Sequence, residues 1–93
     1  MTVRESEIET YLVWVVVGLG GRTYKFRSVT QRGVADRVVC LPDGTTWFIE
    51  LKAPKGRLSP LQRLFADQMK ELGQRYACLW TKEQIDEWAG NLR

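Results

Sequence analysis

The chain has 93 residues and no histidine, and 14 Lys and Arg residues against 11 Asp and Glu residues give a formal net charge of +3. This length predicts one domain, over residues 1–93, with a small core that is compatible with a dimer. The absence of histidine excludes Ser-His-Asp and Cys-His catalytic systems and His-ligated zinc sites. Cys40 and Cys78 are too few for a disulfide scaffold or a four-cysteine zinc site, so we interpret them as free, buried thiols of a reducing compartment. Any catalysis therefore depends on carboxylates, lysine and bound metal, with no small-molecule cofactor.

Hydropathy and charge indicate the cellular compartment of the protein and the kind of partner that it binds. The most apolar stretch, residues 11–19, is far shorter than the roughly 20 residues that a membrane span needs. The acidic beginning of the chain does not fit a signal peptide, so we expect a soluble, cytoplasmic protein with no membrane partner. Residues 22–37 hold five basic residues and one acid, and residues 52–63 hold four basic residues and no acid. Such stretches indicate a polyanion partner, although a solvated surface accounts for them equally well.

Apolar periodicity and turn signals predict the order α-β-β-β-α-β-α. The predicted elements are a helix over residues 2–18, strands over residues 23–29, 35–41 and 45–52, a helix capped by Ser59 and ended by Gly73, a strand over residues 76–80, and a last helix capped by Thr81.

The apolar residues of the helices predict the faces that enter the core. In the first helix they are Ile8, Leu12, Val15 and Val16, and in the second they are Leu61, Leu64, Phe65, Met69 and Leu72. Core positions are also predicted for the four tryptophans, Trp14, Trp47, Trp80 and Trp88.

A hairpin brings two acids together. A three-residue turn over residues 42–44 pairs Leu41 with Thr45, which places Asp36 directly opposite Glu50. Opposed side chains have Cβ atoms about 5 Å apart. Because strand side chains alternate between faces, Lys52 lies beside Glu50 on the same face.

This arrangement of two acids and a lysine favours metal-assisted phosphodiester hydrolysis. Two carboxylates so close destabilise a fold unless something neutralises them, and a divalent metal ion does so. Lys52 can then orient a water or stabilise charge on phosphoryl oxygens. The alternative is a solvent-facing Glu50–Lys52 ion pair, which contributes under about 1 kcal/mol and has no catalytic role.

Two further residues have both a functional and a structural interpretation. Glu5 begins the buried stripe of the first helix and could reach the metal, but Thr2 and Glu5 also fit a capping box. Gln62 could hold a water or phosphate near Lys52, but with Ser59 it also fits a capping box. Two neighbouring acids, Glu7 and Glu9, are alternatives to Glu5.

Four segments together carry a resemblance to a known family. They are ESEIETYLV, the GG pair followed by YKF, GVADRVV, and FIELKAPKGRLSPLQ. Over nearly its whole length the chain resembles a stand-alone virus-type replication-repair nuclease (VRR-NUC) domain of the PD-(D/E)XK superfamily. The resemblance implies an α/β fold with a restriction-endonuclease-like α-β-β-β-α-β core, in which helices flank a small mixed sheet, and a short C-terminal helix. It also implies Mg²⁺- or Mn²⁺-dependent cleavage of DNA by a homodimer similar to Holliday-junction resolvases, often phage-encoded and so acting in the cytoplasm of the host.

The resemblance also implies site residues. Asp36, Glu50 and the Leu51 carbonyl would be metal ligands, Lys52 the catalytic lysine, and Glu5 the acid of the first helix. Gln62 would be the glutamine that opens the second helix. Where the family usually has proline before the aspartate, this chain has Ala35, which removes no ligand. The basic residues expected to contact DNA are Lys25, Arg32, Arg37, Lys55 and Arg57.

Three interpretations of the function remain open. The first is a metal-dependent, structure-selective endonuclease, within which cutting of linear duplexes is a possibility. The second is a non-catalytic DNA-binding module on the same scaffold, and the third is a small α/β interaction domain with solvated acids. For the homodimer, the candidate interface is the side of the first helix that carries Val13, Trp14 and Val17.

Overall fold

The computed structural model describes residues 2–92, in which three helices flank a four-stranded sheet. The elements are α1 (Glu5–Gly18), β1 (Arg22–Lys25), β2 (Arg37–Cys40), β3 (Thr46–Leu51), α2 (Pro60–Glu71), β4 (Arg75–Leu79) and α3 (Lys82–Gly90). The order is the predicted one. The first three strands are shorter than predicted, and β4 has the predicted length but begins one residue earlier. Within residues 2–92 no helix is long and apolar enough to cross a membrane.

The sheet is mixed, with strand order β1-β2-β3-β4. The first three strands pair antiparallel, and β4 pairs parallel with β3 after the crossover through α2. The β2–β3 hairpin confirms the predicted register, because Arg37 pairs with Ile49 and the Leu41 N–H donates to the Thr45 carbonyl at 2.9 Å. Gly44 adopts a φ of 86° in the turn, as its position there requires.

The main apolar core lies between one face of the sheet and helices α1 and α3. Ile8, Leu12 and Val16 of α1 are fully buried there, as predicted, and Val15 is half-buried. The sheet contributes Ile49 to this core. The remaining buried members of this cluster are Val39, Leu51, Leu79, Ile85 and Trp88.

The other face of the sheet carries aromatic side chains under α2. Phe65 of α2 packs against Phe48 at a ring-centroid distance of 6.0 Å, against Tyr76 at 6.2 Å and against Phe26 at 6.3 Å. Helix α2 faces the sheet with Phe65, Ala66 and Met69, which lie within about one helical turn. Three of its predicted core residues are exposed, namely Leu61, Leu64 and Leu72. That prediction was therefore wrong for these leucines, because α2 presents a narrower face to the sheet than its apolar stripe.

Two other local predictions were wrong, and one of the two interpretations of Glu5 does not hold. Trp14 is 70% exposed, because two residues after the buried Leu12 a helical side chain points to the opposite side. Cys40 is exposed and Cys78 only half-buried, although both are free thiols as predicted. Helix α1 begins at Glu5 with Arg4 as its N-cap, and no described side chain caps it, so the Thr2–Glu5 capping box does not form.

Candidate active site

The site lies at the open end of the β2–β3 hairpin, on the face of the sheet covered by α2. Asp36 directly precedes β2, and its Oδ2 accepts a hydrogen bond of 2.8 Å from the N–H of Leu51. On the neighbouring strand, β3, Glu50 lies on the same face as Phe48, and so does Lys52, which directly follows the strand. The hairpin therefore brings Asp36, Glu50 and Lys52 together on one face.

Glu50 is the centre of this group. It is 1% exposed, and its Oε2 accepts a hydrogen bond from Gln62 Nε2 at 3.2 Å and lies 3.6 Å from Lys52 Nζ. The pKa of Glu50 is raised to about 8, first by burial and then by the charge and hydrogen bonding of Asp36, and Lys52 opposes the rise. A carboxyl in this position holds its proton at neutral pH until more positive charge reaches it.

Gln62 forms the capping box considered for it, whereas its role toward a water or phosphate near Lys52 stays a prediction. Its Oε1 accepts from the Ser59 N–H at 2.9 Å while Ser59 Oγ accepts from the Gln62 N–H, so the capping box is present. Its Nε2 remains available and donates to Glu50. The capping box thus holds the amide group in a fixed orientation toward the buried acid.

Two polar side chains that lie beside Asp36 and Glu50 were not identified from the sequence as part of the site. Cys78 pairs with Glu50 across the β3–β4 ladder, and burial, together with the charge of Glu50, raises the pKa of its thiol to about 12. Tyr76 lies two residues before Cys78 on the same strand and pairs with Phe48, and burial likewise raises the pKa of its hydroxyl. Both groups are therefore neutral at physiological pH. The pairing depends on where α2 returns the chain, for which the sequence carries no signal.

The structure does not bring an acid of α1 to the pair. Glu5 and Glu7 are exposed in the first turn of α1, on the opposite face of the sheet from α2. Among residues 2–92 there is no group of three or more His, Cys, Asp and Glu side chains that could hold a metal ion. The metal-ligand role of Glu5 stays a prediction, and Glu9 instead forms an ion pair with Arg37, with 2.9 Å between Oε2 and Nε.

The five basic residues expected to contact DNA divide into two groups. Lys25 and Arg37 pair across β1 and β2, and both line a surface depression with Glu9, on the α1 side of the sheet. These two residues therefore lie away from the acid pair. Strand alternation could have indicated this for Arg37, because it directly follows Asp36 and its side chain points to the opposite face of the sheet. The other three are exposed in the two loops next to the acids, and we call them the basic rim: Arg32, Lys55 and Arg57.

Gly33 connects the β1–β2 loop to the start of α2. Its φ is 85°, and a Cβ atom there would lie 2.5 Å from the backbone carbonyl of Leu61, the residue before Gln62. Only glycine permits both this conformation and this close approach.

Replacing Gly33 with alanine is expected to lower the free energy of unfolding by roughly 2 kcal/mol or more, because the methyl group must displace backbone. Gly44→Ala is a matched control, with a φ of 86° and nothing within 4 Å of an added Cβ. Urea denaturation of both variants measures the difference, and an equal loss in the two would contradict the role of the Leu61 contact.

The donor set fits a divalent cation. Mg²⁺ is commonly held by one or two carboxylates, with water and substrate phosphate completing its shell. Asp36 and Glu50 supply two carboxylates, and burial together with the charge of Asp36 raises the pKa of Glu50, so a cation bound there would favour its ionised form. The Leu51 N–H already binds Asp36, which holds Leu51 next to the pair. Ala35, which directly precedes Asp36, is 1% exposed.

The chain is similar to known proteins both in its fold and in its sequence. The fold is similar to a solved structure described as a VRR_NUC domain, with a TM-score of 0.89 and 23% identity, covering 96% of this chain and 97% of that one. The chain is also 48% identical over 69 residues to "Putative nuclease p44" of Acyrthosiphon pisum secondary endosymbiont phage 1, which corresponds to 69% of this chain and 74% of that protein. No protein-family model matches the chain. The chain belongs to the same family as this phage protein, and it has the fold of a VRR_NUC domain.

Proposed function

We propose that this protein is a metal-dependent endonuclease that hydrolyses phosphodiester bonds of DNA. The observation that carries the proposal is the buried Glu50 carboxyl beside Asp36, with Lys52 Nζ 3.6 Å from its Oε2. A structural ion pair has no need for a second acid whose charge opposes it. The family relationship and the name of the phage relative agree with this activity.

Each site residue then has a role in the reaction. Asp36 and Glu50 would hold Mg²⁺ or Mn²⁺, with the Leu51 carbonyl as a further ligand. When bound, the ion polarises the phosphate and lowers the pKa of a coordinated water. Gln62 keeps the Glu50 carboxylate in place through the capping box of α2. Lys52 orients the attacking water or stabilises the charge that develops on the phosphoryl oxygens.

We propose that the substrate is branched DNA, recognised by shape. The basic rim of Arg32, Lys55 and Arg57 contacts phosphates, and phosphate contacts position a protein on DNA without reading bases. A relative from a phage agrees with action in the cytoplasm of a bacterial host.

The test is incubation of the protein with labelled four-way junction, flap, nicked and linear DNA, in Mg²⁺, Mn²⁺ or EDTA. We expect cleavage of the branched substrates only with a divalent ion, and loss of cleavage in Asp36→Asn. Equal cutting of linear duplexes would contradict the structure selectivity. Tight junction binding without cleavage in any divalent ion would contradict the enzyme and indicate a DNA-binding module.

We further propose that the protein acts as a homodimer through the exposed side of α1. Trp14 is 70% exposed and Val17 is 63% exposed, and the neighbouring Val13 is half-buried. A two-fold dimer presents the same patch from each subunit and supplies two sites for paired cuts in a symmetric junction.

Trp14→Asp is expected to convert the dimer to a monomer, because a charge in an apolar interface loses its hydration. Leu72→Asp is the matched control, since Leu72 is a similarly exposed apolar residue (66%) on α2. Sizing with light scattering measures the mass, and a Trp14→Asp protein that remains dimeric would contradict this interface.

A further inference from the structure

We infer that Trp80 is a positioning residue for Lys52. The indole of Trp80 fixes the loop that follows Lys52, and the loop in turn confines the lysine side chain. The inference rests on the proposed function for the catalytic importance of Lys52. Its geometry, however, can be tested without any nuclease activity.

Trp80 connects the end of β4 to this loop. Its Nε1–H donates a hydrogen bond of 2.8 Å to the carbonyl of Gly56, which is 24 residues away in the chain. The base of the side chain is itself fixed, because the Trp80 N–H donates to Gln84 Oε1 at 2.7 Å in the first turn of α3. The indole therefore joins the loop to a rigid part of the fold.

Gly56 lies against the aliphatic part of Lys52. A Cβ atom on Gly56 would be 3.3 Å from Lys52 Cβ and 3.4 Å from Lys52 Cδ. The Gly56 N–H also donates to the Ala53 carbonyl at 2.8 Å, which closes a tight turn. The backbone of the loop thus forms one wall along the lysine side chain.

This wall limits the positions that the amine can adopt. A lysine side chain has four rotatable bonds and loses considerable entropy when it is held in one geometry. In this structure the Lys52 side chain is only 15% exposed, and its Nζ lies 3.6 Å from Glu50 Oε2. Loss of the indole hydrogen bond should free the loop and, with it, the amine.

The test compares Trp80→Phe with Trp88→Phe. Trp80→Phe keeps an aromatic ring but removes the N–H that binds Gly56. Trp88→Phe removes the same group in α3, where Nε1 is buried without a hydrogen-bond partner among residues 2–92, so it controls for the loss of ring volume. Thermal unfolding of both variants verifies that they fold.

The first measurement needs no substrate. Acetylation of Lys52 by acetic anhydride, followed by peptide mass spectrometry, reports the accessibility of the amine, with the exposed Lys82 as internal reference. We expect Lys52 in Trp80→Phe to react several-fold faster than in the wild type and in Trp88→Phe. Equal rates in the three proteins would overturn the proposal. If the wild type cleaves no DNA but Lys52 is acetylated faster in Trp80→Phe, the proposed function fails while the inferred role of Trp80 in positioning Lys52 is supported.

The second measurement separates kcat from KM. We expect Trp80→Phe to lower kcat about tenfold with KM nearly unchanged, because a displaced amine no longer meets the transition state. An unchanged kcat would overturn the positioning role even if the amine became more reactive. Gly56→Ala reaches the same contact from the other side, and we expect the same two changes from it should Trp80→Phe fail to fold. Wild-type behaviour of a folded Gly56→Ala protein would likewise overturn the proposal.

Discussion

Lys52→Ala is expected to lower the rate of DNA cleavage by about 10²–10³-fold, the loss typical of removing one group that stabilises charge in a transition state. Its Nζ lies 3.6 Å from Glu50 Oε2, within the site that would hold the cation and the scissile phosphate. The affinity for DNA should change little, because contacts spread over the basic rim supply most of the phosphate binding. Single-turnover cleavage and binding titrations in Ca²⁺ measure the two effects separately.

Lys70→Ala provides the matched control for this substitution. Lys70 is an exposed residue in the last turn of α2, and its removal changes the net charge by the same amount. Full activity in Lys70→Ala together with a large loss in Lys52→Ala assigns the effect to the position of the amine. A similar modest loss in both variants would indicate that Lys52 acts only as one more positive charge on the DNA-binding surface.

The free energy of unfolding in EDTA is expected to fall as the pH rises from about 5 to about 8. In the folded protein Glu50 keeps its proton until about pH 8, whereas in the unfolded chain it loses the proton near its ordinary value of 4.5. Between these values the folded state binds more protons than the unfolded state, so stability is greatest at the acidic end and declines with pH. Over two pH units the decline is on the order of 2 kcal/mol.

Glu50→Gln should remove this decline, because glutamine carries no titrating group and can still accept from Gln62. Glu71→Gln, at an exposed end of α2, should retain it. Urea denaturation at several pH values measures both variants against the wild type. Adding Mg²⁺ or Mn²⁺ near pH 8 should stabilise the wild type, because the ion offsets the charge of the ionised pair. A wild-type protein whose stability does not vary over this range would contradict the buried, proton-holding Glu50.

The hairpin and the start of α2 show what could be predicted from the sequence. The turn over residues 42–44 sets the register, and alternation along β3 then places Asp36 opposite Glu50 with Lys52 beside it. Likewise the capping box of Ser59 and Gln62 is visible as four residues in a row. These features depend on neighbours in sequence or on one short turn, so local chemistry determines them.

The positions that depend on how helices rest on the sheet could not be predicted. The rotation of α2, which exposes Leu61 and brings Gln62 over Glu50, follows from how its side chains fit the aromatic cluster. The same holds for the exposure of Trp14 on α1 and for Glu5, which lies across the sheet from the acid pair.

The amino-acid sequence by itself determined the order of the elements, the hairpin register and the placement of the acid pair beside its lysine, because apolar periodicity, strand alternation and turn geometry act over a few residues. Only the tertiary structure decided which further groups surround that pair: Gln62 from α2, Cys78 from β4, and the Trp80–Gly56 bond that borders Lys52. These contacts join residues from separate elements. They exist because burial of the two faces of the sheet sets the distances between those elements, and no local pattern encodes such distances.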